Sequence, residues 1–198
     1  MKRKIDVVRD TCIPLMIDDI DTDQLVPARF MKTVDKNGFG DVLLYDRRYD
    51  ADGSPRSDFV LNNPAYHGSI LVAGKNFGTG SSREHAAWAI AGYGIKVVIS
   101  CKFADIHKGN ELNNFILPVE VDEHFVNTLG QCVKDNPETL VEVNLPEQTV
   151  CNTATGEKVH FDIDAYKKHC LINGLDDVDY LVETKKDIEK WEQNNKNL

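Results

Sequence analysis

Short apolar runs separated by polar or glycine-rich segments set the pattern of this chain. Residues 70–73 and 95–100 are apolar runs rich in β-branched residues, and such runs bounded by turn residues predict buried strands. Between them, Ser81 precedes a glutamate with the spacing of a capping box, which predicts that a helix begins near Ser81. Gly92 or Gly94 is predicted to end that helix. The pattern therefore predicts a strand–loop–helix–strand unit whose two strands pair in parallel.

The remaining sequence continues this alternation of short strands and amphipathic helices. Further strands are predicted by apolar, β-branched runs at 116–121, 140–145, 149–151 and 158–163. Further helices are predicted by apolar spacing at 103–113, 123–135, 164–173 and within 176–198. No internal repeat or low-complexity run interrupts this order, so the pattern indicates an α/β protein.

Composition and charge narrow the function classes. The 198 residues are 41% hydrophobic and 28% charged, which is ordinary for a globular protein. The formal net charge of −9 argues against a nucleic-acid-binding surface. No apolar run approaches the roughly 20 residues that span a bilayer, and Asp6, Arg9 and Asp10 interrupt any signal peptide. We therefore expect a cytoplasmic protein with no membrane or nucleic-acid partner.

The cysteines give no sign of a disulfide framework or a metal site. There are five, they are widely spaced, and no Cys-x-x-Cys pair occurs. This usage fits free thiols in a reducing compartment. The six histidines also lack ligand spacing. We expect no metal ion or iron–sulfur cluster to be held by this chain alone.

The loop between the first two strands carries candidate chemistry. Gly78 and Gly80 allow a tight turn and a close approach of the backbone to a ligand. Ser81 and Ser82 add hydroxyl groups, Arg83 adds a planar fork suited to a carboxylate or phosphate, and the N-terminus of the predicted helix favours an anion. A well-capped helix with a solvated arginine is the alternative. A dinucleotide-binding fingerprint and a P-loop are both excluded, since neither glycine pattern is complete.

Two other segments stand out. The apolar run 13–17 leads into Asp21-Thr22-Asp23-Gln24, which is either part of a site or an acidic turn with a helix cap. Residues 34–69 are polar and turn-rich, and a long irregular excursion of this kind is typical of a flap or a partner contact. Within 103–113, His107 and Asn110 either face the site or, in the case of the histidine, serve a structural role.

These stretches together resemble a known family. The run from Gly74 to Ala86 resembles the signature of the swivelling domain of the aconitase superfamily, and Asp21 to Gln24 resembles its second signature. The segments after Ser100 and at 171–177 are similar to the family as well. The resemblance implies an α/β fold, a barrel-like mixed β-sheet with flanking helices. It places the swivelling domain at 1–175, with 34–69 as a loop excursion, and a C-terminal helical tail at 176–198.

The resemblance also implies an activity and a partner. The superfamily dehydrates and rehydrates hydroxy di- or tricarboxylates, and this chain is most similar to leucine-pathway members that interconvert 2- and 3-isopropylmalate. In the family the 4Fe–4S cluster lies on other domains. A chain of this size is therefore expected to be a small subunit, active only with a large, cluster-bearing subunit. The alternatives are a related hydro-lyase acting on homoaconitate or a methylated maleate, and a non-catalytic anion-binding module.

Site roles follow from the family motifs. The first serine of the Ser-Ser-Arg motif acts as the base, which implies that Ser81 accepts the carbon-bound proton of the substrate. Ser82 and Arg83 are expected to hold a substrate carboxylate. Two further groups are implied: a site floor formed by Asp21, Thr22 and Asp23, and a substrate-selecting loop formed by Phe30, Met31, Lys32 and Thr33.

Overall fold

The computed structural model describes residues 4–32 and 36–195. The strands in this part of the chain are β1 Val7–Asp10, β2 Cys12–Leu15, β3 Ile70–Ala73, β4 Val97–Ser100, β5 Leu117–Glu120, β6 Val141–Asn144, β7 Thr149–Asn152 and β8 Glu157–His160. The α-helices are α1 Thr22–Leu25, α2 Tyr45–Arg48, α3 Glu84–Tyr93, α4 Asp105–Asn113, α5 Glu123–Asp135, α6 Ala165–Asn173 and α7 Asp177–Asn194. Short 3-10 turns occur at Ala28–Phe30, Phe39–Val42 and Val60–Asn62.

A four-stranded parallel sheet, in the order β2-β3-β4-β5, is the frame of the molecule. The predicted parallel pairing of the first strand–loop–helix–strand unit is confirmed, since Ile70 pairs with Val97. Every residue of β2, β3 and β4 is buried. Parallel strands covered on both faces have this continuous apolar character. The loops that carry the site residues leave the carboxyl ends of β2, β3 and β4.

The second sheet is antiparallel, in the order β1-β6-β7-β8. Burial alternates along β6 and β7, as expected where one face packs on a core and the other faces solvent. The buried face of this sheet packs against the amphipathic helix α5 and against one face of the parallel sheet, and the three together form one hydrophobic core. The prediction of a helix over 123–135 is confirmed. The strands therefore divide between two sheets that share this core.

A second core lies on the opposite face of the parallel sheet. The alanine-rich helix α3 packs there, and Leu43, Leu44 and Leu61 from the segment between β2 and β3 complete it. The backbones of Gly40 and Gly92 are in direct contact, since a Cβ on Gly40 would lie 2.4 Å from the carbonyl carbon of Gly92. Residues 36–69 thus contribute buried leucines and three short helical segments to the body of the fold.

Helix α3 begins later than the capping-box pattern predicts. Its first residue is Glu84, and Arg83 is the N-cap residue with no side-chain capping bond, so the prediction of a start near Ser81 is wrong. The Thr22 N–H donates to the Thr79 carbonyl and the Thr22 hydroxyl donates to the Ser81 carbonyl, and these bonds hold residues 79–81 outside the helix. The predicted end is confirmed at Gly94, whose φ of 105° lies in the left-handed region that glycine tolerates. None of the helices in the described chain is long and apolar enough to cross a membrane.

Candidate active site

Two loops that leave neighbouring parallel strands are fastened side by side. The loop after β2 and the loop after β3 exchange backbone hydrogen bonds from Gly78 N–H to the Ile20 carbonyl, at 2.7 Å, and from Thr22 N–H to the Thr79 carbonyl, at 2.8 Å. The buried Thr22 hydroxyl also donates to the Ser81 carbonyl, at 2.9 Å. The two sequence signatures, which lie far apart along the chain, therefore form one continuous structure.

A third segment completes the walls of a cavity beside Ser81. Residues 102–104 pair with Phe77 through two backbone hydrogen bonds and bring the first turn of α4 against the loop. The cavity has a volume of about 220 Å³ and is lined by Thr22, Gly78, Gly80, Ser81, Ser82, Arg83, Ala104, Asp105, Ile106, His107 and Asn110. A larger cavity, of about 410 Å³, lies beside α5, but none of the predicted site residues lines it. The hydroxyls and the guanidinium are gathered at the smaller cavity.

Ser81 and Ser82 present free hydroxyl groups to this cavity. Both residues are exposed, and neither hydroxyl forms a hydrogen bond with another residue of the described chain. Ser81 does not cap α3, so its oxygen is not shared between capping and chemistry. The left-handed backbone of Gly80, with φ of 93°, turns the chain directly before it. The two hydroxyls are available to a ligand.

Arg83 is the only lysine or arginine among the described residues that line the cavity. Its Nη1 forms an ion pair with the carboxylate of Asp23, which lies on α1. The guanidinium has five N–H donors, so Nη2 and Nε remain able to bind a second carboxylate. Arg83 and Asp23 thus link the two signatures, and the arginine is already oriented by a carboxylate.

Two helix N-termini converge on the cavity, where the sequence indicated only one. The first turn of α4 lines it directly, and Ala104, the N-cap residue of α4, provides no side-chain cap. The first N–H groups of a helix have no acceptor within the helix. The partial positive charge at such an end favours an anion. The N-terminus of α4 reaches the cavity through tertiary contacts and was not predicted as an anion-binding element, whereas His107 and Asn110 of the same helix were candidates to face the site and both line the cavity.

The other predicted site residues that the structure describes lie outside the lining of this cavity. Asp21 caps α1, its carboxylate accepting from the Gln24 N–H at 2.7 Å, as the alternative helix-cap interpretation predicted. Phe30 packs on Tyr45, with ring centroids 4.9 Å apart, and Met31 packs against the second core. Phe30 lines a different cavity of about 130 Å³. Lys32 is exposed, and Thr33 lies outside the described residues.

A buried pair of ionisable groups, His107 and Glu111, lies below the cavity, and only the histidine was singled out from the sequence. His107 Nε2 lies 3.2 Å from Glu111 Oε1, and both side chains are inaccessible to solvent. Burial raises the pKa of the Glu111 carboxyl, and the nearby His107 partly opposes this rise. The i,i+4 spacing of a histidine and a glutamate in a predicted helix was the available signal for this pair.

The cysteines do not fit an iron–sulfur cluster. All five are free, Cys12 and Cys170 are buried in different parts of the fold, and the described residues contain no group of three metal-ligating side chains. Burial also raises the pKa of the Cys12 thiol far above its usual value. Because thiolates are the ligands of such clusters, a buried neutral thiol of this kind is unsuited to hold one.

Comparison with known proteins identifies relatives over nearly the whole chain. Residues 3–124 match the family model described as the aconitase C-terminal domain. A protein of Azobacteroides pseudotrichonymphae is 52% identical over 96% of this chain and 98% of its own length, and one of Cytophaga hutchinsonii is 51% identical over 98% and 97%. Both are named 3-isopropylmalate dehydratase small subunit.

A solved structure supports the same relationship. The crystal structure of 3-isopropylmalate dehydratase (leuD) from Methanocaldococcus jannaschii superposes with a TM-score of 0.67 at 25% identity, covering 93% of this chain and 98% of that one. The α/β class and the swivelling-domain fold implied by the sequence motifs are confirmed by this match. The chain matches the aconitase C-terminal domain over residues 3–124 and belongs to the family of 3-isopropylmalate dehydratase small subunits.

Proposed function

We propose that this chain is the small subunit of a hydro-lyase that isomerises 2-isopropylmalate and 3-isopropylmalate in leucine biosynthesis. Eight relatives with 42–52% identity over at least 93% of this chain bear that subunit name. The observation that carries the proposal is the cavity, which gathers two free serine hydroxyls and one arginine beside the N-terminus of α4. This set of donors suits a small hydroxy dicarboxylate.

Ser81 is the proposed catalytic base. Ser81 releases its hydroxyl proton to solvent before the site closes, and the resulting alkoxide-like oxygen accepts the carbon-bound proton of the substrate during dehydration. The hydroxyl formed in this way returns a proton to carbon during rehydration. An alkoxide-like oxygen is unfavourable in water, so it needs positive electrostatic surroundings in a closed site. The guanidinium of Arg83 and the free N–H groups at the start of α4 supply them. The Thr22 hydroxyl holds the Ser81 backbone at 2.9 Å and thereby orients the base.

Ser82 and Arg83 are proposed to bind a substrate carboxylate. Arg83 keeps Nη2 and Nε available while Asp23 holds Nη1, so the guanidinium is oriented before the substrate arrives. Asp21, through its cap on α1, and Thr22 support the floor of the site. The segment of Phe30, Met31, Lys32 and Thr33 is the proposed substrate-selecting loop. Residues from the partner subunit would have to close the site above it.

The partner is proposed to be a large subunit that carries a 4Fe–4S cluster. The small-subunit names of the relatives imply a large subunit. The cysteines of this chain do not fit a cluster, so none of the steps assigned to its residues passes through one. We also propose a cytoplasmic location, no nucleic-acid or membrane partner, and a division into a swivelling domain at 1–175 and a C-terminal tail at 176–198.

Reconstitution tests this function. The chain is expressed with and without the large subunit from the same genome, and isopropylmalate isomerisation is followed anaerobically by NMR. We expect a complex that turns over isopropylmalate and a small subunit that is folded but inactive alone. Turnover by the small subunit alone would contradict the proposed division of labour. A complex that acts on a methylated maleate or homoaconitate, and not on isopropylmalate, would identify a related hydro-lyase instead.

A further inference from the structure

The buried pair formed by His107 and Glu111 violates the usual rule for polar groups in a protein interior. Each side chain is at most 1% exposed. Apart from the 3.2 Å approach of Nε2 to Oε1, no described residue offers the two ring nitrogens or the two carboxyl oxygens a hydrogen-bond partner. Leaving such groups unpaired is costly, and natural proteins tolerate the cost mainly at functional sites. The pair therefore calls for a functional explanation.

The imidazole ring lies directly beneath the loop that carries Ser81. A Cβ placed on Gly78 would lie 2.1 Å from Cδ2 of His107, so the ring fills the space that a side chain at Gly78 would need. The ring also packs edge-on against the buried Phe77, with centroids 5.5 Å apart. Residues 77 and 78 thus rest on His107, and Ser81 follows only three positions later.

The same histidine forms part of the cavity wall beside Ser81. Helix α4 is therefore connected to the site through the backbone N–H groups of its first turn and through this ring. Glu111 lies one helical turn further along, with Oε1 3.2 Å from Nε2 of the ring. Burial disfavours a charged carboxylate at Glu111 and raises its pKa, and a protonated carboxyl at this position can donate towards Nε2.

We propose that His107, fixed by Glu111, is a positioning residue that holds the Gly78–Ser81 loop in its reactive geometry. The proposal rests on the function proposed for Ser81, and it adds a device outside the two sequence signatures. The ring supports the loop from beneath, and the polar contact of Glu111 Oε1 with Nε2, at 3.2 Å, limits the rotation of the ring. Loss of this polar contact is expected to misplace Ser81 without removing any group that binds substrate.

Two variants at one position separate positioning from packing. Glu111→Gln keeps the shape of the side chain and supplies an amide N–H that can donate to Nε2, whereas Glu111→Leu introduces an apolar side chain of similar volume that cannot donate. In the reconstituted complex, we expect Glu111→Leu to lower kcat per folded site about tenfold to hundredfold with little change in KM, because small misplacements of a catalytic group have effects of this size. Glu111→Gln is expected to retain most of kcat.

Amide hydrogen exchange on the full small subunit provides a readout that is independent of activity. The Gly78 N–H donates to Ile20 and the Thr22 N–H to Thr79, so their exchange rates report how firmly the two loops are fastened. We expect faster exchange at Gly78 and Thr22 in Glu111→Leu and not in Glu111→Gln. The Val143 amide, in β6 of the other sheet, is the internal control.

The outcomes distinguish the two proposals. Equal kcat per folded site and equal Gly78 exchange in wild type and Glu111→Leu would overturn the positioning role. A wild-type complex that does not turn over isopropylmalate, combined with loosened exchange only in Glu111→Leu, would support positioning of the loop and reject the proposed substrate. If Glu111→Leu does not fold, His107→Gln removes the ring beneath Gly78 and is expected to accelerate Gly78 exchange and lower kcat in the same way.

Discussion

Replacing Glu111 with glutamine should change how the stability of the small subunit depends on pH. Burial raises the pKa of this carboxyl above its usual value of 4.5, so the folded protein retains a proton that the unfolded chain releases. The contribution of this carboxyl to the free energy of unfolding is then fully present below about pH 4.5. It decreases as pH rises towards the pKa of the carboxyl in the folded protein. Glutamine has no proton to release, so the variant lacks this pH-dependent contribution to stability.

The size of this pH effect follows from the one proton that the folded protein binds at Glu111 and the unfolded chain releases. For each pH unit above the usual glutamate pKa, wild type should lose about 1.4 kcal/mol of unfolding free energy relative to Glu111→Gln. This loss stops where the folded carboxyl itself ionises. His107 and Lys108 lower the carboxyl pKa and so narrow the pH window.

The assay is urea unfolding of the full small subunit, followed by circular dichroism at several values between about pH 5 and about pH 8. Glu192→Gln is the matched control, because the Glu192 side chain is exposed and forms no ion pair with another residue of the described chain, so it should leave the pH dependence unchanged. If the difference in unfolding free energy between wild type and Glu111→Gln does not change with pH, the assignment of a protonated, buried carboxyl is refuted. The assignment is also refuted if wild type becomes more stable relative to Glu111→Gln as pH rises.

Three further substitutions test other parts of the structure. Arg83→Lys keeps the charge but loses the planar fork, so kcat/KM of the complex should fall about tenfold to hundredfold with an unchanged melting temperature; near-normal kinetics would make Arg83 a mere partner of Asp23. Gly40→Ala should destabilise by about 1–3 kcal/mol or more, because its Cβ would lie 2.4 Å from the backbone of Gly92. Gly109→Ala, in α4 with open space around its Cβ, should stabilise by up to about 1 kcal/mol in the same urea assay, and a loss there would argue against the assigned helix.

Local pattern predicted the parts of the fold that local forces determine. The continuous apolar strands β3 and β4 and the amphipathic helix α5 were visible because burial imposes a regular spacing on the sequence. The end of α3 at Gly94 was also predictable, since few residues other than glycine adopt its left-handed conformation. The start of α3 was not, because hydrogen bonds from Thr22 to Thr79 and Ser81 override the capping preference of the serine.

The site was predictable in its chemistry and not in its assembly. The Ser81-Ser82-Arg83 run indicated an anion-binding segment, and its resemblance to a family supplied the roles that we propose. Arg83 contacts Asp23, and α4 forms one wall of the cavity. Both contacts join segments that are far apart in the sequence, so the spacing of apolar residues along the chain could not predict them. Glu111 was missed because an acidic residue on a helix normally predicts a solvated position, and only the tertiary structure buries it.

The central claim, that Ser81 is the base, is tested most directly by comparing Ser81→Ala with Ser82→Ala in the reconstituted complex. Both serines are exposed and neither caps α3, so both variants should keep the wild-type melting temperature. Loss of a general base should lower kcat about 10²- to 10⁴-fold in Ser81→Ala, whereas Ser82→Ala should mainly raise KM. A stable Ser81→Ala complex that retains most of the wild-type kcat would contradict the account.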